Sequence, residues 1–191
     1  MRLEFLSLRP ASGWPNAAPD PGGSASWLER LGAFVRAVGI VAACVLIPAQ
    51  ILVSLSYLVG RRIFNVPVTP LQELEWHFFF TLVFLTLGAA LLADRHVRID
   101  ILRARLGERA RAYIEIAGFV FALLPAAASL IYFGGQFAWE SYLTGENSRA
   151  ALGLPWRWIV KSMIPVGGLL LLAAGLVLTA RNLSILRESR P

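Results

Sequence analysis

Few side chains in this sequence could do chemistry, and the most suggestive are two acids. Glu73 and Glu75 stand beside Trp76 and His77, at the start of an apolar stretch. Carboxylates within a membrane often mark an ion path or a helix contact. A structural interpretation is also available, because the dipole of a helix favours an acid in its first turn. We favour the structural interpretation.

Metal, haem and thiol chemistry find little support. His77 and His96 are the only histidines, and on one helix they would lie about 28 Å apart, too far to share a haem iron. Either histidine could still pair with a ligand of another kind or from another subunit. Cys44 is the only cysteine, so neither an intrachain disulfide nor a cysteine-rich metal site can form. With no HExxH, CxxC, Walker A or GxSxG pattern, we expect no catalytic, cofactor or metal site and no enzyme.

The composition indicates an integral membrane protein. Of the 191 residues, 57% are hydrophobic and 16% are charged. Soluble domains average about 45–50% apolar residues and about 25% charged residues. Soluble enzymes and disordered chains are therefore excluded. Four charge-free stretches can each cross a bilayer, which takes about 20 helical residues, and bilayer spans must satisfy their own backbone hydrogen bonds. We predict an all-α protein with four transmembrane helices at about 34–60, 72–93, 114–139 and 160–180.

The chain divides into a tail and a membrane domain. Residues 1–26 are rich in proline and glycine and lack an apolar period, which predicts a flexible tail. Ser26 and Glu29 then form a capping box, so a helix should begin at Trp27 and open the four-helix domain of residues 27–191. Three prolines within the spans predict kinks or broken turns; they are Pro48, Pro125 and Pro165.

The distribution of basic residues predicts the orientation. With four spans, the tails and the middle loop share one side and hold 13 of the 18 basic residues, against 5 on the other side. Excess positive charge stays in the cytoplasm. We therefore expect cytoplasmic termini, and we assign the net charge of +6 to membrane orientation rather than to nucleic-acid binding.

The middle loop has the pattern of an amphipathic helix. Apolar residues recur at helical spacing, and arginines flank them; the apolar stripe is Ile99, Leu102, Leu106, Ala110 and Tyr113. This pattern is typical of a helix on the membrane surface, with Gly107 as a candidate end. The arginines that should contact lipid are Arg95, Arg98, Arg103 and Arg105. An arginine-rich loop that only orients the spans is an equally good interpretation.

Other residues suit membrane packing. Five of the six tryptophans lie near predicted span ends, as in the aromatic belts of membrane proteins. Two glycine pairs, Gly134–Gly135 and Gly167–Gly168, would allow close helix approach within the bundle or to a partner.

Several motifs occur in an order that resembles a known family. Arg61, Phe64 and Asn65 follow the first span, and Glu73–Leu74 opens the second. The later motifs are His96–Asp100, Glu146–Ser148, Leu154–Trp158, Lys161, Ile164 and Pro165. Over residues 30–185 the chain resembles the small membrane subunit, the DctQ-like subunit, of tripartite ATP-independent periplasmic (TRAP) transporters.

The resemblance implies a bacterial inner-membrane transporter of three components. A periplasmic binding protein would capture an organic acid, and a large membrane subunit would carry the transport and sodium sites. The small subunit would be a fixed scaffold that helps to dock the binding protein, with lipids as further partners and no cofactor of its own. The contact candidates are Arg61, Arg62, Glu73, Glu75, Trp76, Arg149, Trp156 and Arg157.

Two alternatives remain open on the sequence: a four-span anchor unrelated to transport, and a haem or quinone subunit of a membrane enzyme. In any of these roles the chain alone should transport nothing, because a path needs polar or ionisable lining. The polar residues in the spans are scattered; they are Gln50, Ser54, Thr81, Thr86 and Ser129.

Overall fold

A computed structural model describes residues 27–64, 69–93, 107–150 and 153–188. Throughout these ranges the elements are helical and no strand occurs. They are α1 (Trp27–Ile63), α2 (Thr69–Leu92), α3 (Glu108–Gly118), a π-helical turn (Phe119–Leu123), α4 (Leu124–Leu143), α5 (Arg157–Lys161) and α6 (Met163–Glu188). The predicted tail and the capping residue Ser26 lie outside the described residues.

Four helical segments are long and apolar enough to cross a membrane. They are Trp27–Ile63, Thr69–Leu92, Ala110–Leu143 and Arg157–Ser184, so the third span joins α3 to α4 and the fourth joins α5 to α6. This confirms the all-α, four-span prediction. The first and third spans extend well beyond the charge-free stretches of the sequence. Charged residues at their ends remain helical where they reach the polar membrane surface.

Two of the three prolines coincide with irregular turns. Pro125 follows the π-helical turn, and Pro165 lies just after the break at Ser162 that separates α5 from α6. Proline lacks the N–H that a regular helix requires, so the turn before it is the usual place for such an adjustment. Pro48 lies inside α1, which continues through it.

Consecutive spans run antiparallel, and the fourth span contacts the other three. Near the start of α1, Gly39 packs against Ala89 at the end of α2, and Gly32 faces Val177 near the end of α6. The first and second spans pack together and against α6, while the third span packs mainly against α6 from another side. We call the end of the bundle that gathers Ile63, Thr69, Leu143 and Arg157 the loop end, and the opposite end the tail end.

Close packing depends on glycines rather than on a large apolar core. A Cβ added at Gly88 would lie 2.5 Å from the Leu170 carbonyl oxygen, and one at Gly167 would lie 2.7 Å from Phe84. Gly134 meets Ile164 in the same way, whereas no atom lies within 4 Å of the Cβ position at Gly135. Three of the four paired glycines therefore serve contacts within the chain, and Gly135 faces away from it.

Two details of the sequence interpretation are wrong. Because α2 begins at Thr69, its first turn contains no acid, and the dipole explanation for Glu73 and Glu75 does not hold. Gly107 is the N-cap of α3, so Ala110 and Tyr113 belong to the helix that leads into the third span and not to a surface helix of the middle loop. The rest of the proposed surface helix, with Arg95, Arg98, Arg103 and Arg105, lies outside the described residues.

Candidate functional site

The clearest polar cluster lies at the loop end, where Glu73 holds the loop between α4 and α5. One carboxylate oxygen of Glu73 accepts a hydrogen bond from the Ser148 hydroxyl, and the other accepts one from the Leu154 N–H at 2.6 Å. These partners lie 75 and 81 residues from Glu73 in sequence. The second span therefore fixes the position of a loop that precedes the fourth span.

The two arms of this loop also bond to each other. The N–H of Ser148 donates to the Leu154 carbonyl at 3.2 Å, and the N–H of Arg157 donates to the Glu146 carbonyl at 3.3 Å. Gly153 fits between Ser148 and Glu73, since a Cβ there would lie 3.0 Å from the Glu73 carboxylate and would collide with Ser148. We call the described residues 144–150 and 153–156, held in this way, the clasped loop.

Glu146 anchors the loop to α5. Its carboxylate accepts a hydrogen bond from the Lys161 ammonium group, and the Arg157 guanidinium lies 3.8 Å away. The hydrogen bond from Lys161 lowers the pKa of Glu146 below its ordinary value of 4.5. Because folding lowers this pKa, the pairing stabilises the fold at pH values above the ordinary pKa. The stabilisation disappears as the pH falls through the lowered pKa.

Aromatic rings surround the clasped loop. Tyr142 stacks on Trp139 with centroids 5.7 Å apart and meets the edge of Trp158 at 5.5 Å. Trp156 has a left-handed backbone with φ of 60°, a conformation that costs a non-glycine residue about 1–3 kcal/mol. The bonded loop arms on either side hold it there, and the residue is 66% exposed.

Glu75 makes a separate contact between helices. It accepts a hydrogen bond from the Ser54 hydroxyl of α1 at 2.8 Å, which places it at the seam of the first two spans. At the tail end, Glu115 accepts a hydrogen bond from the Asn182 amide at 2.8 Å, which links the third span to the fourth. Both acids join helices within this chain.

The structure brings together only some of the contact candidates. Glu73 and Arg157 both lie against the clasped loop, which carries Arg149 and Trp156 on its exposed surface. The remaining four lie elsewhere at the loop end: Trp76 is exposed on α2, Glu75 faces α1, Arg61 donates to Tyr57 of its own helix at 3.0 Å, and Arg62 is exposed.

The partners of Glu73 and Glu146 were missed by sequence reasoning. In the sequence, Ser148, Glu146 and Lys161 belong only to the motifs of a family resemblance, and their spacing gives no sign of mutual contact. An acid near the start of one span and a serine in a distant loop form no local pattern, so only the packing of the helices reveals the pair.

Two hydroxyl side chains in the spans are satisfied within their own helices. The Thr86 hydroxyl donates to the Leu82 carbonyl, and the Ser129 hydroxyl donates to the Pro125 carbonyl, each at 2.8 Å. The Gln50 side-chain oxygen is buried without a hydrogen-bond partner in the described part of the chain. Among these residues there is also no group of three or more His, Cys, Asp or Glu side chains suited to a metal ion.

Comparison with known proteins identifies the family. The family model described as "Tripartite ATP-independent periplasmic transporters, DctQ component" matches residues 50–184. A search of curated proteins finds no match. The matched range begins in the second half of α1 and continues through the second, third and fourth spans. The chain therefore belongs to the DctQ family and is a multi-pass small membrane subunit of a TRAP transporter.

Proposed function

We propose that this chain is the scaffold of a three-component importer in the bacterial inner membrane. It would hold the large membrane subunit and help to dock a periplasmic binding protein, for sodium-coupled uptake of an organic acid. The observation that carries the proposal is the family match over residues 50–184. The transport site and the sodium sites are assigned to the large subunit, and no enzymatic activity is assigned to this chain.

The proposed orientation places the tail end in the cytoplasm and the loop end in the periplasm. Its support is the excess of basic residues in the tails and the middle loop, 13 against 5, under the rule that positive loops stay inside. The clasped loop would then face the soluble binding protein.

The clasped loop has the properties that docking requires. Its backbone is held by Glu73 and by bonds between its own arms, while Arg149 and Trp156 remain exposed. A surface that is already ordered loses less conformational entropy when a partner binds. Exposed arginine and tryptophan are also the residues that most often contribute strongly to protein interfaces.

A scaffold role also agrees with the way the hydroxyl groups of the spans are bonded. The hydroxyls of Thr86 and Ser129 bond within their own helices, and that of Ser54 bonds to Glu75. Satisfied in this way, these groups offer poor lining for a solute path, which needs polar groups directed at the solute. This supports a chain that transports only as part of a complex.

Reconstitution into liposomes tests the proposal. We expect saturable organic-acid uptake only when this chain, the large subunit and the binding protein are all present and an inward sodium gradient is applied. Collapsing the gradient with a sodium ionophore is the control. Uptake by the isolated chain, or full uptake by the other two components without it, would overturn the scaffold assignment.

A further inference from the structure

The third span presents one side to the rest of the chain. Within α4 its buried residues are small and recur at helical spacing; they are Ala127, Gly134, Ala138 and Ser141. They pack against the fourth span, where Gly134 meets Ile164 and the Ala127 carbonyl approaches Gly168. The third span is also the least buried of the four. Most of its circumference is therefore open to lipid or to another protein.

The open side of this span is unexpectedly polar. Ser129, Tyr132, Gln136 and Glu140 are all exposed, and their spacing of three, four and four residues puts them on one line of a helix. At about 100° of rotation per residue, this line lies opposite the buried small residues. We call these four residues the polar face of the third span.

Part of the polar face lies at hydrocarbon depth. Trp139, which is 60% exposed, marks the membrane interface as an aromatic-belt residue. Gln136 and Tyr132 precede it on α4, which puts them about 4.5 and 10 Å deeper. Side chains on a helix tilt toward its N-terminus, and here that direction leads further into the bilayer. Tyr132 and Gln136 therefore cannot reach the nearby surface easily.

Their hydrogen-bonding groups call for a partner beyond the described residues. The Ser129 hydroxyl is satisfied by the Pro125 carbonyl, but Tyr132 and Gln136 make no side-chain hydrogen bond to any described residue. Lipid tails cannot supply one, and unsatisfied polar groups in hydrocarbon are unfavourable. Amide and hydroxyl side chains in spans instead tend to bond across to a neighbouring helix.

The exposed side of the first span provides the contrast. Its exposed large residues are aliphatic and suit lipid; they include Ile40, Val41, Ile51, Leu52 and Leu55. On that side the exposed Ser56 hydroxyl returns to the Leu52 carbonyl of its own helix at 2.8 Å. The need for an external hydrogen-bond partner is therefore much greater on the third span than on the first.

We propose that the polar face of the third span is the surface that packs against a membrane helix of the large subunit. That helix would offer an acceptor to the Tyr132 hydroxyl and both a donor and an acceptor to the Gln136 amide. Gly135 borders this face with no atom within 4 Å of its Cβ position, so a neighbouring helix can approach closely. The inference rests on the proposed function, which supplies the partner.

Photocrosslinking in the assembled complex locates the interface. The crosslinker p-benzoylphenylalanine is placed at position 132 or 136, and for comparison at position 52 on the aliphatic side of α1. We expect a covalent product with the large subunit from position 132 or 136, and only lipid adducts from position 52. No such product from either position, or a product with a second copy of this chain instead, would overturn the proposal.

A pair of variants tests the hydrogen bonds themselves. Tyr132→Phe combined with Gln136→Leu should lower recovery of the large subunit about threefold to twentyfold, the range expected for lost interhelical hydrogen bonds in membranes. Ser56→Ala is the matched control, because it removes a hydroxyl from the exposed side of the first span whose bond stays within α1; recovery of the large subunit should not change. Unchanged recovery in the double variant would contradict the proposed bonds.

The two proposals fail in different ways. If this chain and the large subunit do not co-purify at all, the scaffold function is wrong. If they co-purify but crosslink only through position 52, the scaffold function stands and the assignment of the polar face is wrong. Elution of each variant as a single species during gel filtration shows that the chain itself is still folded.

Discussion

Glu73 shows how one side chain can organise a distant segment. Its carboxylate receives a hydroxyl and a backbone N–H from the clasped loop, and Gly153 leaves the space for this contact. Hydrogen bonds to a charged acceptor are stronger than neutral ones. At the residue scale, one acid of the second span therefore fixes the clasped loop to α2, while Glu146 fixes it to α5.

Replacing this acid should loosen the loop. Glu73→Gln keeps the size of the side chain but removes the charge and one acceptor, so we expect a loss of about 1–2 kcal/mol in stability. Hydrogen exchange of the Leu154 amide should become faster, and binding of the periplasmic protein should weaken. Thermal unfolding in detergent measures the loss of stability, and hydrogen-exchange mass spectrometry measures the exchange rate of the Leu154 amide.

The control for this experiment is Glu140→Gln. Glu140 is an exposed acid near the same end of the bundle, and its side chain makes no hydrogen bond within the described ranges. Its replacement should leave the Leu154 amide protected. Equal protection in the Glu73→Gln variant and in the wild type would show that Glu73 does not hold the loop.

At the scale of helices, glycine positions decide which spans touch. Gly88 of α2 lies against the backbone of α6 at Leu170, and Gly134 of α4 lies against Ile164. Between membrane helices lipid competes equally for apolar surface, so close backbone approach contributes much of the association. The fourth span is central because small residues on three sides let its neighbours approach.

Adding a methyl group at such a contact should separate two helices. In Gly88→Ala the new Cβ would lie 2.5 Å from the Leu170 carbonyl oxygen, and the backbone must move to relieve the clash. We expect a loss of about 1–3 kcal/mol, as for other overpacked sites, seen as a lower midpoint of thermal unfolding.

Gly135→Ala is the matched control for that change. It brings the same gain in helix propensity, about 1 kcal/mol, at a position where no atom lies within 4 Å of the Cβ. The isolated chain should be as stable as the wild type or more stable. Equal midpoints of thermal unfolding for the two alanine variants would show that close packing at Gly88 does not join α2 to α6.

At the scale of the whole molecule, the charge asymmetry should be visible in lipid binding. Changing Arg95, Arg98, Arg103 and Arg105 to alanine should reduce retention of anionic lipid, because each arginine near the surface contributes about 1 kcal/mol. Native mass spectrometry in mixed anionic and zwitterionic lipid measures the ratio of the two lipid types that remain bound. Arg61→Ala with Arg62→Ala at the loop end is the control, and equal losses in both variants would argue against a dedicated contact of the middle loop.

The number and approximate position of the spans follow from the sequence alone. Hydropathy, the tryptophans near the helix ends and the family motifs are local in sequence, and the bilayer demands helices wherever an apolar stretch is long enough. The start of α2 at Thr69 was harder to predict, because four residues that precede Glu73 carry no charge to mark the membrane boundary.

Tertiary structure alone decided which of these residues meet. It joined Glu73 to a serine 75 positions away, put Glu75 against Ser54 of another helix, and turned Tyr132 and Gln136 away from the rest of the chain. Such facts depend on how each helix is rotated and on where glycines allow contact. Hydropathy does not carry that information, because in a membrane an apolar side chain is equally suited to lipid and to a neighbouring helix.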